Sequence, residues 1–235
     1  DPTSPQKVGV FETSGVAREV AVSRGFAFVA DGRDGLRVID VSPPNRLQEV
    51  TFFGSSSNAI AIELSKGLAY LAGGPEGLWV IDAGLPSAAL DKLGSYNPDG
   101  HVVDVTAAGD YALAVVRSRS PKDERTSDVR VVDVSDPSSP HEVGGFGLSG
   151  RVLHLSVTGD RAYVSVRGAL LVFDISDPAR PRSIDTLKTE VPGLGPPGGE
   201  PAAIGGEVVA SGQHAYLASR WYPRGLYVVK LADRE

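Results

Sequence analysis

The chain has 235 residues, of which 41% are hydrophobic and 22% charged, and a formal net charge of −6. Acids and bases interleave without a basic stripe, which argues against nucleic acid as a partner. No apolar run approaches the roughly 20 residues of a membrane helix, so this chain is not expected to insert in a membrane.

No cysteine occurs, which excludes disulfides, thiolate metal sites and cysteine nucleophiles. No methionine occurs either, the start residue included, so the chain is expected to begin after processing or to be an excerpt. Asp1-Pro2 is not a signal peptide.

In chain order, Ser4-Pro-Gln-Lys-Val-Gly-Val-Phe11 comes first, and it aligns with Ser139-Pro-His-Glu-Val-Gly-Gly-Phe146 further on. A short apolar pattern follows at Val20-Ala-Val, a second at Phe26-Ala-Phe-Val, and a third at Gly35-Leu-Arg-Val-Ile-Asp40. The third pattern returns at 77–82, 129–133, 170–174 and 226–230, its last residues 42, 51, 41 and 56 positions apart. The second returns at Leu68, Tyr111, Arg161 and His214, and the first at Ile62, Val105, Leu155 and Val208. Most units close with a fourth run, such as Asp91–Tyr96 or Glu142–Phe146. The runs are short, β-branched or aromatic, and bounded by Gly, Pro, Asp and Ser, so they read as strands. A repeat of about 42 residues with four strands is the anatomy of a propeller blade.

The predicted fold is therefore all-β: a single β-propeller domain over residues 1–235, with about five four-stranded blades. They fall at about 16–57, 58–100, 101–150, 151–202 and 203–235 plus 1–13. The last unit stops after its third strand, so the N-terminal strand is expected to pair with 226–231 and close the ring, removing an exposed sheet edge. Asp133-Val-Ser-Asp-Pro and Asp174-Ile-Ser-Asp-Pro join third to fourth strands; Asp folds back onto backbone amides there, and Pro presets the turn.

Phe28-Val-Ala followed by Gly35-Leu-Arg-Val-Ile-Asp-Val-Ser resembles one unit of the LVIVD-repeat propellers. The apolar run ending in Asp occurs four times and Ser-Asp-Pro follows it twice. The resemblance implies a β-propeller on the surface of, or exported from, bacteria or archaea, hence an extracellular or periplasmic setting. It brings no established reaction and no catalytic residue. Lys230 stands where the other copies have Asp.

Two groups of candidate site residues come from aligning the units. In the innermost strand the copies read Glu19, Ala61, Asp104, His154 and Glu207, a position expected to face an axial channel. Oxygen-rich rings of this kind hold calcium or magnesium, or the position is simply a wet polar lining. No cofactor is expected beyond that. Three positions earlier, His101 and Arg151 would sit at the channel mouth.

The second group lies on long connections. Residues 117–128, 187–206 and 219–225 all join strands on one face, with Tyr96–Gly100. Trp221, Tyr222, Arg220, Arg224, Arg117 and Arg119 are the expected anchors for a protein partner there, because Trp, Tyr and Arg dominate interface hot spots. The leading reading is a non-catalytic protein-binding or assembly module of a surface or exported protein or a larger complex. The alternatives are a propeller binding a small ligand or divalent metal in its channel, and a glycosidase-like hydrolase using a pair among Glu19, Asp104 and Glu207.

Overall fold

The computed structural model describes residues 6–54, 58–84, 89–119, 126–188, 190–191, 202–203, 206–212, 214–219 and 225–231. All regular structure in them is β. Among the described residues no helix is long and apolar enough to cross a membrane.

The first sheet runs β1 (Glu19–Ser23), β2 (Phe26–Ala30), β3 (Leu36–Asp40), β4 (Gln48–Phe53). The second is β5 (Ala61–Ser65), β6 (Leu68–Ala72), β7 (Leu78–Asp82), β8 (Lys92–Tyr96). The third is β9 (His101–Ala108), β10 (Tyr111–Arg117), β11 (Ser127–Asp133), β12 (His141–Leu148). The fourth is β13 (Val152–Thr158), β14 (Arg161–Val166), β15 (Ala169–Asp174), β16 (Arg182–Lys188). A small pair, β17 (Glu190–Val191) and β18 (Ala202–Ala203), precedes a three-stranded sheet of β19 (Gly206–Ser211), β20 (His214–Ser219) and β21 (Gly225–Lys230). Each four-stranded sheet is one repeat in strand order, and the count fits about five blades.

The hairpins follow from turn chemistry. Between β1 and β2, Arg24 and Gly25 have φ of 51° and 83°, and between β5 and β6, Lys66 and Gly67 have 52° and 80°. Two successive positive φ values make a type I′ turn, which matches strand twist. The later hairpins put glycine first instead, at Gly109 and Gly159, the pattern of type II′. Third strands end in the expected Asp turns. Asp40, Asp82, Asp133 and Asp174 each accept the backbone N–H two residues on, at 2.8–2.9 Å. Asp136 and Asp177 repeat the device one turn later.

The chain forms two compact units, residues 1–105 with 136–140, and 106–135 with 141–235. In the first, β1–β4 and β5–β8 bury Phe28, Leu36, Val38, Ile62, Leu71, Trp79 and Ile81 between them. Backbone bonds join successive repeats: Gly32 and Ala59 exchange both N–H···O bonds at 2.8 and 3.1 Å, as Gly74 and Val102 do at 2.9 Å. In the second unit, buried serine hydroxyls take over. Ser127 Oγ accepts the Val152 N–H, and Ser165 Oγ the Gly206 N–H, each at 3.2 Å.

The expected closing strand is not formed. Residues 6–18 hold no strand, and β21 has no fourth strand beside it among the described residues. Segment 7–11 instead lies on the first repeat. A Cβ on Gly9 would collide with the Pro44 carbonyl, and Phe11 packs on Ala27, Val29 and Ile39 with Leu47. Ser4 and Pro5 lie outside the described residues.

Candidate functional site

At the inner-strand position two of the copies bond to the next repeat. Glu19 is exposed, yet its Oε2 accepts the Ile62 N–H of the next repeat at 2.9 Å. His154 does the same in the second unit, its Nδ1 accepting the Val208 N–H at 3.3 Å. This bond requires Nδ1 to carry no proton. Asp104 turns onto its own neighbour, Oδ1 accepting from Val105 N at 2.9 Å. Glu207 is exposed. It lines, with His154 and Ser219, a hollow of about 340 Å³ between β13 and β19. Among the described residues no three of His, Asp and Glu gather as a metal-ligand set.

A carboxylate missed by sequence reading sits beside this row. Glu63 is half-buried, and burial first, then the Glu19 charge, pushes its carboxyl above the usual carboxylate range. Its signal was the run Ile62-Glu63-Leu64, a charge on an otherwise apolar inner strand.

The first repeat carries a second missed network. Asp31 is fully buried at the β2–β3 turn. It accepts Arg37 Nε at 2.7 Å, Thr13 Oγ1 at 2.7 Å and Gly15 N at 3.1 Å. Arg37 also reaches Glu49 at 2.6 Å, Asp34 at 3.2 Å and the Ser14 hydroxyl. The hydrogen bond to Glu49 contributes most to raising the guanidinium pKa. The cluster holds residues 13–15 on the first repeat. The sequence showed it as Asp-Gly-Arg-Asp-Gly-Leu-Arg at 31–37, where the second repeat has Gly-Gly-Pro-Glu-Gly-Leu-Trp at 73–79.

In the second unit the strand ends bring several predicted residues to one rim. Arg117 ends β10 and pairs in register with Ser127. Ser127 Oγ holds Val152, whose chain neighbour is Arg151. Ser165 holds Gly206, and Gly206 pairs in register with Ser219, the last residue of β20. The ends of β10 and β20, at Arg117 and Ser219, therefore lie on the same side. Arg119 and Arg151 are exposed, and Arg117 is half-buried. His101 is exposed at the start of β9, in the first unit. Arg220, Trp221, Tyr222 and Arg224 lie outside the described residues.

The LVIVD repeat model matches residues 14–53, 125–146 and 149–189. The chain carries LVIVD repeats. The first and third matches each span one whole four-stranded sheet, so the LVIVD unit and the blade share one phase. Among curated proteins none matches. Solved structures do. A protein from Lactobacillus plantarum aligns with TM-score 0.68 at 14% identity, over 94% of this chain and 72% of that one. The designed protein Ika8 aligns at 0.65 and 11% identity, over 90% of this chain and 57% of its own. The β-propeller domain of Myceliophteria thermophila Cps50 (Swd1) aligns at 0.63 and 13% identity, over 88% and 67%. The LVIVD-repeat chain is thus a β-propeller, spanning just over half the length of Ika8.

Proposed function

We propose that this LVIVD-repeat propeller is a non-catalytic protein-binding or assembly module whose working face is the rim carrying Arg117, Arg119 and Arg151. The supporting observation is the set of buried hydrogen bonds that brings Arg117 and Arg151 to neighbouring strand ends, through Ser127. Planar guanidinium groups on rigid strand ends are preorganised to take partner carboxylates bidentately. On an acidic chain such a rim stands out as a local positive patch. The partner surface it fits is therefore acidic, and Trp221, Tyr222, Arg220 and Arg224, which follow β20 in the sequence, are proposed as further anchors by their residue types. His101, exposed at the start of β9 in the first unit, is proposed as a binding residue in its own right. The setting proposed for it is extracellular or periplasmic.

The test is affinity capture of the chain from its native source, comparing wild type with Arg117→Ala/Arg151→Ala and with Trp221→Ala/Arg224→Ala. A partner whose affinity falls at least about thirtyfold in each, or ~2 kcal/mol, supports the reading. Full retention of the partner by both folded variants overturns it.

A further inference from the structure

The first unit holds a well of about 420 Å³ at the tips of the β1–β2 and β5–β6 hairpins. Phe26, Phe28, Leu64 and Ala83 give it an apolar side, Ser23 and Ser65 also line it, and the charged residues of its lining are Arg24 and Lys66. The second unit has the corresponding well, of about 440 Å³, between the β9–β10 and β13–β14 tips. There the charged residues are Asp110 and Asp160. The two wells are the same feature of the repeat with opposite charge.

Two departures from the repeat shape the first well. The residue after each third-strand Asp is Val41, Ala83, Val134 or Ile175. Val134 and Ile175 are buried, and Ile175 lines the second well; in the first well the same place holds the smaller Ala83, among Phe26, Leu64 and the buried Phe28. The second departure is at the tips. Arg24 and Lys66 occupy left-handed backbone, φ 51° and 52°, where glycine or asparagine costs less. The later hairpins place glycine at that position. Both costly residues are cations, and both line the first well.

We infer that this well is a binding site for an organic carboxylate with an apolar body, the body on Phe26 and Leu64 and the anion at Arg24 and Lys66. Its size is in the range of small-molecule sites, which are mostly apolar with a few placed polar groups. The chemistry is shared by a free aryl or alkyl acid and by the C-terminal residue of an apolar peptide. The site is independent of the arginine rim, so either can fail alone.

The experiment is a calorimetric or NMR titration of the purified chain with 4-phenylbutyrate, against its neutral amide. An Ala-Ala-Phe peptide with a free or amidated C-terminus distinguishes the two sources. Saturable binding of the acid, with shifts confined to the well, is expected, and the amides should bind at least about tenfold more weakly. Arg24→Asn/Lys66→Asn should lose that preference while melting no lower than wild type, since asparagine accepts the left-handed turn. Ala83→Trp, which fills the well, should block both acid and amide. No binding of either acid to wild type, equal binding of acid and amide, or unchanged binding in the folded variants would overturn the site.

Discussion

Gly9 lies so close to the Pro44 carbonyl that no Cβ fits between them. The same approach recurs at Gly94 on Pro137 and at Gly144 on Pro178. Those two glycines belong to fourth strands, and each abuts the turn after the next repeat's third strand. Phe11 likewise packs on Ile39 as Phe146 stacks on Phe173, ring centroids 3.8 Å apart. Segment 7–11 thus occupies the seat of a fourth strand against the first repeat, without strand pairing of its own.

Gly9→Val should therefore displace this segment and uncover Phe11. Overpacking a close backbone approach costs about 1–3 kcal/mol. Gly144→Val, in the equivalent seat, should cost about the same. Urea melts read both, and hydrogen exchange at residues 7–12 reads the displacement; unchanged protection in Gly9→Val would mean that the seat is not held.

Asp31 is fully buried and Arg37 is its cationic partner. Arg37→Met strands a buried carboxylate and should cost about 3–5 kcal/mol. Asp31→Asn/Arg37→Met removes both charges and should recover much of that loss. A double variant as unstable as the single one would show that packing, not charge, holds the cluster.

Glu63 gives a pH signature. Its carboxyl is raised by burial and by Glu19, so the folded state binds the proton more tightly than the unfolded state. The stability this confers is present below the unfolded pKa and is lost as pH rises through the folded one. Glu63→Gln should accordingly be more stable than wild type at neutral pH, with the difference shrinking toward about pH 4. A difference that does not change with pH would contradict the assignment.

Ser127 and Ser165 each satisfy a backbone N–H of the following repeat from a buried position. Ser127→Ala and Ser165→Ala should each cost about 1–3 kcal/mol, the range for an orphaned buried donor. Ser42→Ala, at an exposed turn, should stay within about 0.5 kcal/mol. Equal stability of all three in chemical denaturation would remove the joining role.

Much of the fold was legible because alternation and punctuation are local. Leu36–Asp40, Leu78–Asp82 and their first and second strands are short apolar runs bounded by Gly and Asp, and they form β1–β3 and β5–β7 as expected. The alignment of residues 4–11 with 139–146 was also sound for its described part, since Gly9 and Phe11 take the seats of Gly144 and Phe146. Its pairing partner was not legible, because a strand seat is set by neighbouring repeats. Glu19 and His154 share an alignment column, but only the spacing between sheets shows that they reach amides of the next repeat. Arg24, Lys66 and Ala83 were visible as departures from the repeat, yet none carries a motif by itself.

The working face is tested most directly by placing a photo-crosslinking amino acid at Arg119 and, separately, at Asp160. Both lie in the second unit, Arg119 just beyond the end of β10 and Asp160 at the β13–β14 hairpin tip, at opposite ends of the strands. The account predicts that one protein partner is captured from position 119 through an acidic segment, and not from position 160. Capture of the partner from 160 with none from 119 would contradict it.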